Sequence, residues 1–191
     1  MKQNNLRLIY DILMKPEAFF KKIGEGVPDT RALIVSYGAP LFVLAAAGRM
    51  TRIMLIRATG DAALASDQLA GIFIITLVGY ALSVWLGALI IDRLAPHFQS
   101  ESNRDKTMLL IMLAYTPFML SQPLAAISPS MNPLLLLGLG YTVFLFGKGA
   151  GPILGTPGKK VVGFTLVSYF IVFSISHLSM LLLSELFIFA R

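Results

Sequence analysis

The chain has 191 residues, 56 % hydrophobic and only 14 % charged, with a mean hydropathy of +0.75. Soluble globular chains carry roughly 25 % charge, so these proportions exclude disorder and argue against a soluble domain, whereas five spans of about 20 residues each fit the length. The formal net charge is +6 and cysteine is absent, which removes disulfides, Cys-based metal sites and thiol chemistry and assigns the basic excess to cytoplasmic loops rather than to nucleic-acid binding.

Residues 1–31 hold Lys2, Arg7, Lys15, Lys21, Lys22 and Arg31. Residues 1–10 are polar and lack the apolar run of a secretory signal, so the first span is expected to serve as the targeting signal. Leu6, Ile9, Tyr10 and Leu13 recur at helical spacing. Pro16 can open a second short helix that carries Phe19, Phe20 and Ile23. Such a basic, aromatic segment suits the headgroup layer, and an ordinary helix packed on the protein's own loops suits it equally.

Five apolar blocks follow, at about 32–48, 69–91, 107–127, 131–147 and 161–190. The division expected is a cytoplasmic basic amphipathic segment, 1–31, and a five-helix transmembrane domain, 32–191. The third block is interrupted by Pro117 and Pro123, and its uncharged link to the fourth predicts a tight antiparallel hairpin. The fifth is longer than a bilayer needs and is expected to tilt, bend or project. With the N-terminus inside, the inner segments hold twelve basic residues. These are the six above, Arg93, Arg104, Lys106, Lys148, Lys159 and Lys160. The outer segments hold four: Arg49, Arg52, Arg57 and Arg191. That asymmetry predicts N-terminus in and C-terminus out. The arginines after the first block run against it and would have to snorkel at the interface.

The glycine-rich stretch 147–158 fails as a phosphate loop. The first glycine required before Gly158-Lys159 is Ile153, and Lys160 stands where the hydroxyl belongs. The expectation there is a flexible cytoplasmic turn, with Lys148, Lys159 and Lys160 joining Lys15, Lys21 and Lys22 at lipid headgroups. Inside the spans, His177 and Glu185 lie eight residues apart, close to one helix face. With Tyr115, Pro117 and Gln122 of the kinked third span they form a candidate polar intramembrane site. Against this stand a Glu185 at the outer interface near Arg191, a His177 that merely bonds a neighbouring helix, and a kink that only shapes packing. Gly79, Ser83 and Gly87 form a small-residue face for helix contact, within the bundle or between subunits. No metal-ligand set and no nucleophile with its base occurs in the sequence, so neither a cofactor nor a catalytic residue is expected.

The opening Ile12-Leu13-Met14-Lys15-Pro16-Glu17-Ala18-Phe19-Phe20-Lys21-Lys22-Ile23 and the element Ala114-Tyr115-Thr116-Pro117, with the five-span plan, resemble the Yip family of Ypt/Rab-interacting membrane proteins, in particular its bacterial inner-membrane branch. The resemblance implies an all-α, polytopic transmembrane bundle without enzymatic activity, sited in the inner membrane. The basic amphipathic start, the Gly79/Ser83/Gly87 face and the lack of a catalytic set lead to the expectation of a scaffold that organises membrane and meets the phospholipid bilayer, a membrane-protein partner or a second copy of itself. The competing expectation is a small transporter or ion or proton path through the kinked third span and the polar face of the fifth.

Overall fold

The computed structural model describes residues 5–26, 29–58 and 66–189. Lys2 and Arg191, counted above for orientation, lie outside the described residues. Every element among the described residues is helical, and five stretches are long and apolar enough to cross a membrane.

Two short helices come first, α1 (Asn5–Met14) and α2 (Pro16–Glu25). Pro16 starts α2 because its fixed φ suits the first helical position, where no donor is needed. The first span opens with α3 (Thr30–Leu33), capped by the Asp29 carboxylate, which accepts from the backbone N–H groups of Arg31 and Ala32 at 3.0 and 3.3 Å. A π turn at Ile34–Gly38 precedes Pro40, and the span continues as α4 (Ala39–Ala58). Proline has no N–H to offer the Ser36 carbonyl one turn back, and the Asn5 side chain donates to that carbonyl at 2.8 Å. The head of α1 is thereby tied to the first span.

The helix does not stop at Gly48. It carries Arg49, Arg52 and Arg57 through residues 50–56, where Met50, Ile53, Met54, Leu55 and Ile56 keep the helix apolar. The arginines therefore sit on the span rather than in a loop behind it.

The second span is α5 (Ser66–Leu94), ended by a 3-10 turn at Ala95–Phe98 and by Gln99 with φ 58. The third is α6 (Arg104–Ala114), a joint at Tyr115, and α7 (Thr116–Ala125). Pro117 lies in the first turn of α7, so the break falls at Tyr115 and the proline begins a fresh helix. A 3-10 turn at Pro129–Met131 leads to α8 (Pro133–Leu154), which runs back along α7 as the expected hairpin.

The glycine-rich stretch corrects the sequence reading. Residues 147–154 belong to α8, and the turn shrinks to 155–157. Gly149 remains helical because its missing Cβ makes room for Leu110 and Phe20. The helix ends at Gly155, φ 63, whose N–H bonds the Gly151 carbonyl while Thr156 N–H bonds that of Ala150. This is a left-handed cap of the kind glycine favours. Then α9 (Gly158–Phe189) follows, 32 residues long, roughly 48 Å at 1.5 Å per residue and so well beyond a hydrocarbon core of about 30 Å.

The third span is the centre. It is the most enclosed of the five, and Leu109 to Ala114 are all fully buried. On either side α6 meets α5 and α8, and α7 meets α4 and α8, while α9 closes on α5 and α8. Lipid tails are as apolar as these side chains, so helices cohere by close packing rather than by a hydrophobic drive. Between two spans the tightest backbone approach is at Gly48, where an added Cβ would lie 2.4 Å from the Pro123 nitrogen. That neighbour is backbone and cannot turn aside.

Gly48→Ala should therefore cost about 1–3 kcal/mol by overpacking, read as a lower unfolding midpoint in detergent by circular dichroism. Gly140→Ala, on α8 with nothing near its Cβ position, should be neutral or slightly stabilising.

Candidate functional site

The residues singled out in the sequence fall into two regions. The first is the face at which α1 and α2 sit, together with the ends of α5 and α8 and the starts of α6 and α9. Here α1 and α2 bury Leu8, Ile12, Phe20 and Ile23 in the common core. Three contacts hold the pair against α8. Tyr141 Oη donates to the Leu13 carbonyl at 2.6 Å. Gly24 approaches so closely that a Cβ would collide with the Pro152 carbonyl. Lys148 Nζ donates to Glu17 Oε1. That hydrogen bond, with the lysine's charge behind it, holds the Glu17 carboxyl below the usual carboxylate range.

Lys148 is thus engaged with Glu17 and stands 5.4 Å from the Phe144 ring centre, and Lys160 donates to the His97 carbonyl at 3.2 Å. Lys15, Lys21, Lys22 and Lys159 are exposed. The neighbouring loop is pinned to the same end of α8. Glu101 N–H bonds the Leu154 carbonyl at 2.7 Å, and Ser100 and Thr156 share a hydroxyl hydrogen bond of 2.8 Å. The Lys106–Glu101 ion pair, 2.6 Å, closes that loop. Beside it Arg104 lies over Trp85 at 5.0 Å.

The second region is the joint of the third span. Tyr115, Pro117 and Gln122 are buried. Tyr115 stacks on Tyr169 with ring centres 6.3 Å apart, and its hydroxyl reaches the Tyr169 carbonyl at 3.4 Å. Its neighbour Thr116 shares a hydrogen bond of 2.7 Å with Tyr37 from the π turn. Gln122 Oε1 is buried without a donor. His177 and Glu185 are on the outside of α9. The His177 Nδ1 pairs with the Phe173 carbonyl of its own helix at 2.9 Å. From the Tyr115–Tyr169 stack a ladder of rings runs along α9 to His177, Tyr169 to Phe173 at 5.8 Å and Phe173 to His177 at 4.0 Å. The structure therefore places Tyr115 and Pro117 at the helix joint and Gln122 about two turns further along α7, beside Gly48, while His177 and Glu185 stand on the outside of α9. Among the described residues no three His, Asp or Glu side chains converge as metal ligands would.

Gly79 and Gly87 face Met180 and Val172 of α9, and Ser83 between them is buried with its hydroxyl on the Tyr80 carbonyl. The small-residue face therefore lies inside the bundle. Sequence reasoning passed over Asn5, Gly24, Tyr37 and Tyr141. Pro40 was the available signal for Asn5, since a proline in a span advertises an orphaned carbonyl one turn earlier.

The family model described as Yip1 domain matches residues 10–180. No curated protein and no solved structure matches the chain.

A depressed Glu17 pKa means that the ionised carboxylate adds a small increment to the docking of α2 at neutral pH, and that increment fades as the pH falls through the usual glutamate value of about 4.3 and below. Hydrogen exchange of residues 5–25, corrected for intrinsic rates, should quicken across that range. Glu17→Gln should remove the pH dependence.

Proposed function

The chain belongs to the Yip family of integral membrane proteins, and from that premise we propose that it is a non-enzymatic scaffold of a bacterial inner membrane. It presents a basic platform to lipid headgroups and to membrane partners. The observation that carries this reading is the docked pair α1 and α2. One side of the pair is committed to the bundle through Leu13, Glu17, Phe20 and Gly24. The other side leaves Lys15, Lys21 and Lys22 exposed, next to exposed Tyr10 and Met14. Cations flanking apolar side chains on a helix fixed at the end of a span match the boundary between headgroups and acyl chains. Each lysine near an anionic surface contributes about 1 kcal/mol, so three held rigidly together can outweigh thermal detachment.

The charge count supports placing this face in the cytoplasm. The transport alternative draws support from the joint at Tyr115. It is the weaker reading, because Leu109 to Ala114 fill the space beside the joint and because His177 and Glu185 stand outside it. Membership of a generally non-enzymatic family supports a role without catalysis.

The platform is tested by hydrogen exchange on the full chain in nanodiscs. Exchange of α1 and α2 should slow when phosphatidylglycerol is added to phosphatidylcholine, and Lys21→Glu with Lys22→Glu should erase the difference. Equal exchange in both lipids for the unaltered chain would refute the platform. The absence of native cysteine makes the orientation directly readable. In intact cells a membrane-impermeant maleimide should label Ser130→Cys and spare Ser102→Cys until the membrane is opened.

A further inference from the structure

On the face opposite α1 and α2, two arginines of the first span are unmatched. Arg49 and Arg52 stand one turn apart on α4, half-buried, and close enough to repel each other. Each guanidinium is a fork of N–H donors suited to carboxylate or phosphate. The partners it meets here are poor. Arg49 points one donor at the Met180 sulfur, 2.7 Å away, and a thioether is a weak acceptor. Arg52 reaches Asn132 Oδ1 only at 3.5 Å. Both Nε groups are buried with no acceptor. Among the described residues no carboxylate pairs with either arginine. The Tyr80 hydroxyl, 3 % exposed as a residue, lies beside both guanidiniums, closest to Arg49, and has no acceptor for its own proton among the described residues.

Two positive forks and a buried hydroxyl donor, drawn from α4 and α5 and facing α9, make an anion cradle that lacks its anion. Depth identifies the anion. Counted from Thr30, Arg52 lies about one hydrocarbon thickness along the span, at the level where lipid phosphates begin, and Arg49 is one turn deeper. We propose that Arg49, Arg52 and Tyr80 bind a phosphoryl group at this face, with the arginines holding its oxygens and the Tyr80 hydroxyl donating from below. The lipid headgroup at that level supplies the phosphoryl, and a soluble phosphate offers the same chemistry. This site is separate from the lysine platform and does not depend on it.

The test uses full-length protein stripped of lipid in a neutral detergent, with thermal unfolding followed against added phosphatidylglycerol. A companion titration uses inorganic phosphate at matched ionic strength. Phosphatidylglycerol should raise the unfolding midpoint saturably. Arg49→Gln and Arg52→Gln should each shift half-saturation by about tenfold or more, the ratio expected when one charged partner of a few is lost. Arg52→Lys, which keeps the charge but loses the fork, and Tyr80→Phe, which keeps the ring, should weaken binding without threatening the fold. A shift given by inorganic phosphate alone, and lost in the same variants, supports the site and assigns it to a soluble anion. The lipid shift should survive Lys21→Glu with Lys22→Glu, which separates this site from the platform. Half-saturation unchanged in all four site variants, or weakened equally by Arg57→Gln at the exposed end of α4, would overturn the proposal.

Discussion

Contact between the backbones of α4 and α7 at Gly48 and Pro123 is the constraint on which the rest of this bundle depends. In lipid there is no water to expel from between helices, so cohesion comes from dispersion over surfaces that approach closely. A glycine set against a proline ring lets two spans approach closely, and proline gives up no donor there because it has none. Once α4 lies that near α7, the π turn before it is carried to the joint, where Tyr37 meets Thr116. A hydrogen bond between spans averages only about 0.6 kcal/mol, so it fixes register at a place that packing has already chosen.

The same economy explains the third span. A helix interrupted at Tyr115 would expose carbonyls to hydrocarbon if it faced lipid, which is why irregular backbone at membrane depth is tolerated only inside protein. Here it is enclosed by its neighbours. The aromatic cluster of Tyr115, Phe118, Phe146 and Tyr169 packs edge-on and stacked around the joint, filling with rings the volume that a bend opens.

Much of this was legible in the sequence. The five apolar blocks are a solvent argument, and solvent preference is a property of composition that survives without knowing any contact. The resemblance carried by residues 12–23 and 114–117 is borne out by the family match over 10–180. What composition could not convey was where helices end. Glycines at 147–151 looked like a turn because glycine is a poor helix former in isolation, yet in α8 Gly149 is a contact surface for Leu110 and Phe20. Arg49 and Arg52 looked like a loop because charge is costly in hydrocarbon, about 3 kcal/mol for an arginine at mid-span, yet their stems let the helix continue. For the candidate polar site, spacing placed His177 and Glu185 on α9 without showing which way that helix turns. The direction depends on which of its faces the glycines of α5 accept.

The docking of α2 against the end of α8 also sets an order of events during synthesis. Phe19 and Phe20 leave the ribosome more than a hundred residues before Gly149 and Pro152 exist. Until the fourth span has been inserted, those rings have no cavity to enter, and the nascent amino-terminal helices must wait on the bilayer surface or in the care of a chaperone. Helices translated ahead of the first span therefore find their place only after the fourth, and a chain truncated before α8 would never house them.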